Sequence, residues 1–211
     1  MADHLEESQQ GLIKRYDQLY QKEDFFGSPS DIVRKFLAYA SSGSVLDLGA
    51  GQGRNSIFLA ERGFVVTAID ASEVGVQKLR DVAHAKSLPI TAAVQDMREY
   101  PFSESFDVII AQLVLSYVGS AEGVAMINTM QSHTHPGGFN IITVVTRDSD
   151  QFRYRPSAEQ YFYPDAGELK TFYAGWEVLE YTHRKQPARK KLPDGSHMIN
   201  TIEEMIARKP R

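Results

Sequence analysis

The stretch that most constrains the fold is "VLDLGAGQGRNS", residues 45–56. Its apolar start reads as a buried strand, its glycines as a tight loop, and its end as the opening of a helix. Further apolar segments follow at "FVVTAID" (64–70), "ITAAVQD" (90–96), "FDVIIAQ" (106–112) and "FNIITVV" (139–145), with helical patterns between them. Strands so uniformly apolar need cover on both faces. The alternation therefore predicts an α/β fold, a parallel sheet sandwiched between helices.

The flanks read differently. Leu12, Ile13, Tyr16, Leu19 and Tyr20 in "LIKRYDQLYQK" recur at helical spacing, "FFGSP" breaks the pattern, and Ser30 with Asp31 can cap a second helix, "DIVRKFLAYA". The helix from about Arg54 to Arg62 is expected to end at Gly63, and Ser72 to cap a helix reaching about Ala85. "GVAMINTMQSH" reads as a helix and "HPGG" as a turn. Beyond them lie a polar, aromatic stretch from Arg147 to Tyr163, a short helix "DAGELKTFYA" and the segment "WEVLEYTHR". The basic run "RKQPARKK" (184–191) reads as a solvated loop, "PDGS" as a turn, and "HMINTIEEMIARK" as a returning antiparallel strand.

Composition narrows the function. A chain of 211 residues, 42% hydrophobic, suits one domain with a substantial core. A net charge of −4 provides no general drive toward nucleic acid. With no cysteine, disulfides, thiolate metal sites and cysteine nucleophiles are excluded. "MADHLEESQQ" lacks the apolar core of a signal peptide, and no stretch approaches the roughly 20 apolar residues of a membrane span. A cytoplasmic location and no metal site are expected.

The loop could serve a dinucleotide, a phosphate group or another nucleotide-like cofactor. A dinucleotide fingerprint, G-x-G-x-x-G, would place its third glycine where Arg54 stands; this chain has G-x-G-x-G at Gly49, Gly51 and Gly53. A phosphate loop would end in Gly-Lys-Ser/Thr, which is absent. The acids around the loop are more telling. Asp70 ends its strand where a carboxylate can accept both hydroxyls of a ribose. Asp47, inside the first strand, is costly to bury unless paired, and the amino group on the methionine arm of adenosylmethionine would pair it. Asp96 can accept from an adenine amino group while the Met97 amide donates to a ring nitrogen. Each acid also has a plainer role: Asp70 and Asp96 as caps, Asp47 as the partner of Arg54 or Arg62. Their convergence on the carboxyl ends of neighbouring strands favours a cofactor with an amine, a ribose and an adenine.

These residues resemble a known superfamily. "VLDLGAGQGRNSIFLAERGFVVTAID", "QDM" and "FDVIIAQLVLSYV" are similar to the motifs of class I S-adenosylmethionine-dependent methyltransferases, over residues 40–146. "GRNS", "HPGGFNII" and "GELKTFYAGWEVLEY…PDGSHMINTIEEMIARK" resemble the TehB-type tellurite-resistance methyltransferases over nearly the whole chain. The resemblance implies a Rossmann-like, doubly wound sheet of seven strands, mostly parallel, with an antiparallel last strand and helices on both faces. It implies S-adenosyl-L-methionine as cofactor, bound by Asp47, Gly49, Ala50, Gly51, Gly53, Asn55, Asp70, Ala71, Asp96, Met97 and Gln112, with Gln112 beside the methyl group. The segment around Tyr16, Tyr20 and "GSPS" would close as a lid.

The chain also departs from that family. Ala50 stands where many members carry cysteine, and Arg189 with Lys190 stands where they carry a histidine–arginine pair before the last turn. Such a chain uses another group there, or takes another acceptor. Arg147, Arg153, Arg155, His183, Arg184, Arg189 and His197 form the cationic pool for an anionic acceptor, with Arg189 and His197 the favoured candidates. Tyr161 and Tyr163 could pack on the sheet edge and line the acceptor site at once.

The reading is one methyltransferase domain over 1–211, with a lid (1–40), a cofactor-binding core (41–147) and an acceptor-side insertion with a C-terminal hairpin (148–211). Its expected acceptor is a small molecule, a tellurite- or selenite-type anion or a thiol. Neither nucleic acid nor membrane is expected as a partner, and a homodimer is open to it. The alternative is a non-catalytic adenosylmethionine-binding sensor or partner module, and an oxidoreductase ranks third.

Overall fold

The computed structural model describes residues 8–22, 25, 27–192 and 194–211. Phe26 of the predicted "FFGSP" break and Pro193 of the predicted "PDGS" turn lie outside the described residues. The strands are β1 (Gly43–Leu48), β2 (Phe64–Asp70), β3 (Ile90–Val94), β4 (Phe106–Gln112), β5 (Thr134–Val145), β6 (Glu177–Lys191) and β7 (His197–Arg208). The helices are α1 (Gln9–Tyr20), α2 (Asp31–Phe36), α3 (Arg54–Ala60), α4 (Glu73–Ala85), α5 (Ser120–Ser132), α6 (Asp150–Arg153) and α7 (Glu168–Phe172).

All strands join one sheet in the order β3-β2-β1-β4-β5-β7-β6. β1 to β5 pair in parallel, and β7 runs antiparallel to both β5 and β6. This is the Rossmann-like sheet expected, with its antiparallel last strand. The strand order reverses between β1 and β4, so a crevice opens there at the carboxyl ends.

Alternate residues of the same strands feed two cores. Leu46, Leu48, Ile109, Ala111 and Ile142 pack with Met126, Ile127 and Met130 of α5 and with Leu169 of α7. Val45, Val66, Val108, Ile110 and Ile141 pack on the other face with Ile32, Val33 and Phe36 of α2, Leu59 of α3 and Leu79 of α4. Each such fully buried side chain contributes about 1.5–3 kcal/mol, and burial on both faces is why the strands read as unbroken apolar runs.

The elements differ from expectation at their margins. α2 stops at Phe36 and α3 at Ala60, and Gly63, with φ 95°, completes the turn into β2. Ser72 caps α4 by accepting from the Gly75 amide at 3.0 Å. Ser30 occupies the N-cap position of α2 without a capping bond from its side chain. "HPGG" is the irregular start of β5 rather than a turn. The register against β4 shifts between Phe106 and Val108, and a Cβ at Gly138 would stand 2.7 Å from the Asp107 carbonyl oxygen.

The basic run is also corrected. "RKQPARKK" is the second half of β6, paired with β7 through Arg184↔Ile202, Gln186↔Asn200 and Pro187↔Ile199. β6 is the edge of the sheet, where an outward-facing row of charges and a proline are both tolerated. The stretch after β5 braces this hairpin: Thr146 donates to the Thr201 carbonyl at 3.0 Å and the Ile199 amide to Asp150 at 2.8 Å. Among the described residues no helix is long and apolar enough to cross a membrane.

Candidate active site at the carboxyl ends of the strands

The glycine loop leaves β1 by folding onto β2. The amides of Gly49 and Ala50 both donate to the Ile69 carbonyl at 2.9 Å, and the Gly51 amide donates to Asp70 at 2.8 Å. All three glycines are required by space as well as by conformation: at Gly49, φ is 70° and a Cβ would lie 2.5 Å from Val114 Cγ2. At Gly51, φ is 57° and a Cβ would lie 2.5 Å from the Tyr20 hydroxyl. At Gly53, φ is 83° and a Cβ would lie 2.2 Å from Leu79 Cδ1. Gly53 thus permits close helix packing one position earlier than in a dinucleotide loop.

The acids occupy distinct environments. Asp47 is 2% exposed and accepts from Ser56 Oγ at 2.6 Å. Burial pushes its carboxyl up to about 6, against the pull of Ser56 and the Arg54 charge. Arg62 turns away from it, donating to the Phe58 carbonyl at 2.9 Å and stacking on the Phe58 ring. Asp70 accepts from the amides of Gly51 and Ser72, each at 2.8 Å; burial raises its carboxyl while those amides lower it. Ala71 follows it at the strand end. Asp96 caps the short turn Met97–Glu99, accepts Arg98 in a two-pronged bond, and also accepts from Gln9 of α1. The Arg98 bonds hold its carboxyl below the usual range. Met97 is buried beneath it.

α1 and the segment after it lie across this loop. Gln52 holds three backbone groups of that segment, donating to the carbonyls of Tyr20 (3.0 Å) and Lys22 (2.7 Å) and accepting from Phe25 (2.9 Å). Asn55 accepts from the Ser30 amide at 3.0 Å, and Ser72 Oγ donates to Asp17 of α1 at 2.5 Å. Tyr16 is hydrogen-bonded to Tyr117, which follows β4. Burial drives the phenols of Tyr16, Tyr20 and Tyr117 upward, so all stay protonated at neutral pH.

Gln112 ends β4. Its Oε1 accepts from Thr143 at 2.9 Å, while its Nε2 is buried without a partner. Leu113 then adopts φ 58°, a left-handed conformation that a leucine takes only under strain and that is often found at functional sites. Ser116, three residues on, is buried, and its Oγ also has no partner. The predicted acceptor residues divide. Arg189 stacks over Phe25, 4.5 Å from the ring centroid, and its charge is felt at Arg54. His197 is exposed and bonds back within the hairpin, to the Ala188 carbonyl at 2.7 Å. Gln9, Gln52, Ser116 and Tyr117 were not singled out by the sequence. The sole signal for Tyr117 was its place just after β4.

Known proteins resemble this chain over most of its length. A family model described as tellurite resistance protein TehB matches residues 12–197. The chain is 30% identical over 210 residues to a probable S-adenosyl-L-methionine-dependent methyltransferase TehB of Haemophilus influenzae, covering 99% of this chain and 72% of that protein. It superposes on the crystal structure of TehB from Haemophilus influenzae with a TM-score of 0.77 at 28% identity, covering 92% of this chain and 67% of that one. An N-methyltransferase, NodS from Bradyrhizobium japonicum, solved with S-adenosyl-L-homocysteine, shares the fold with a TM-score of 0.72 at 17% identity, over 94% of this chain and 98% of that one. The chain belongs to the TehB family and is an S-adenosylmethionine-dependent methyltransferase.

Proposed function

We propose that the chain transfers a methyl group to a small, soft or anionic nucleophile, a tellurite- or selenite-type anion or a thiolate. The observation that carries this reading is the pair of buried polar atoms without a partner, Gln112 Nε2 and Ser116 Oγ, which flank the strained Leu113 after β4 and can donate to an anion. Tyr16, Tyr20 and Tyr117 stay protonated beside this loop and supply no phenolate base. An acceptor that arrives with its own lone pair needs none.

The residues present fit the cofactor. Asp70 keeps carboxylate lone pairs beyond the two amides it accepts, Asp47 is a buried acid suited to an amine, and Gln112 Nε2 is a buried donor without a partner. When bound, adenosylmethionine supplies a methyl group already activated by a sulfonium. The protein's part is then to orient, to exclude water and to hold charge. The segment around Tyr16, Tyr20 and Ser30 acts in this reading as the lid over a cofactor-binding core, with Gln52 and Asn55 as its latches. Arg189 and His197 of the hairpin would draw an anionic acceptor toward the cleft.

The test is methyl transfer across selenite, tellurite and thiols, read as release of adenosylhomocysteine, alongside calorimetry with adenosylmethionine. Turnover on an anion or thiol supports the proposal. Tight cofactor binding with no turnover on any of them would favour the sensor module.

A further inference from the structure

We infer that Arg155 binds an anionic oxygen group of the methyl acceptor. The inference rests on the methyl-transfer reading above and assigns the acceptor's charged end to a residue outside the hairpin. Arg155 is half-buried. Its Nη1 donates to the Ser116 carbonyl at 2.6 Å and to the Tyr163 hydroxyl at 2.9 Å, and its guanidinium carbon lies 3.4 Å from the Tyr161 ring centroid. Tyr163 is itself buried and held by Gln151 Nε2 at 3.1 Å. The guanidinium is therefore fixed in plane and position by its neighbours.

Its charge, however, is not met. Arg98, Arg147, Arg153, Arg184 and Arg208 each lie against a carboxylate. Arg155 has no such partner among the described residues, and its Nε and Nη2 donate to none of them. A half-buried guanidinium held in place, with Nε and Nη2 of its planar fork unused, is matched by a carboxylate or an oxyanion. Its unused donors are open to a ligand that brings the matching charge.

The position suits the acceptor. The Arg155 segment is tied to the loop after β4: the Phe162 amide donates to the Val118 carbonyl at 3.0 Å, and Gly119 bridges to Tyr161. That loop starts at Gln112 and the strained Leu113, and it carries Ser116, whose buried Oγ is unpartnered, and Tyr117, which meets Tyr16 of α1. In the transfer, a lone pair of the acceptor forms the bond to the methyl carbon. The carbon–sulfur bond breaks, and its electron pair stays on sulfur. Arg155 holds the acceptor's remaining oxygens and takes no proton.

The test compares selenite with mercaptoethanol, a neutral thiol, at saturating adenosylmethionine, for Arg155→Gln, Arg155→Lys and the exposed control Arg80→Gln on α4. Arg155→Gln is expected to raise KM for selenite by about 10- to 100-fold with a smaller change in kcat, as for loss of a charge-assisted hydrogen bond. The same variant should change the thiol's KM by less than about twofold, and Arg155→Lys should fall between wild type and Arg155→Gln on selenite. Equal losses on both acceptors would mark Arg155 as a clamp for its loop and overturn the inference, as would an unchanged KM for selenite. If the wild type turns over neither acceptor, the methyl-transfer reading fails separately. The site is then read by melting with adenosylhomocysteine present: a selenite-induced rise in Tm that Arg155→Gln abolishes supports it. A rise that persists in the variant, or none in the wild type, overturns it.

Discussion

Replacing Gly53 with alanine isolates what the last glycine of the loop does. Its φ of 83° places an alanine in the left-handed region, at about 1–2 kcal/mol. The new Cβ would also stand 2.2 Å from Leu79 Cδ1 and 2.9 Å from Leu79 Cγ. Leu79 is fully buried between α3, α4 and the sheet, so it has little room to yield, and overpacking adds about 1–3 kcal/mol. The expected loss is about 2–5 kcal/mol, a large part of a typical domain's 5–15 kcal/mol. Urea unfolding followed by far-ultraviolet circular dichroism measures it, with the m-value checked for constancy. Leu79→Ala alone should cost about 2–5 kcal/mol. The double variant should be better than the sum by about 1–3 kcal/mol, because the truncation removes the overlap but not the backbone strain. A cycle additive to within about 0.5 kcal/mol would refute the packing argument.

Other expectations follow from the same contacts. Asp47 titrates near 6 in the folded protein, above its unfolded value, so its ionised form costs stability at neutral pH. That cost fades as pH falls through about 6; Asp47→Asn should therefore stabilise the cofactor-free protein more at pH 8 than at pH 5, by circular dichroism melts, while weakening adenosylmethionine binding in calorimetry. Gln52→Ala removes three hydrogen bonds to residues 20–25, worth about 1 kcal/mol each, and should speed amide exchange in that segment while β1 stays protected. Asp70→Ala should weaken adenosylmethionine binding by about tenfold or more while leaving the far-ultraviolet spectrum intact; unchanged affinity would remove Asp70 from the ribose site.

The central strands were legible because their physics is local. β2 and β4 fall on the predicted residues, since a strand largely buried on both faces is apolar along most of its length and ends at an acid or amide. β6 was not legible for the converse reason. It is an edge strand whose partner on one side is solvent, so its basic second half carries no apolar alternation, and Pro187 disguised it further. The site divided similarly. Asp47, Asp70 and Gln112 could be placed because each terminates or interrupts an apolar run. The Tyr16–Tyr117 contact joins residues 101 apart in sequence, and Arg155 looked like any loop cation until Ser116, Tyr161 and Tyr163 were seen around it.

In the proposed reading the carboxyl ends of β1, β2 and β4 hold the cofactor with its reactive side toward the loop after β4. A crystal structure with adenosylhomocysteine tests it most directly. The ribose hydroxyls are expected on Asp70, and the sulfur facing Gln112 and the Tyr16–Tyr117 pair, with Arg155 beyond them. A ribose away from Asp70, or a sulfur turned from the β4 loop toward α3, would contradict it.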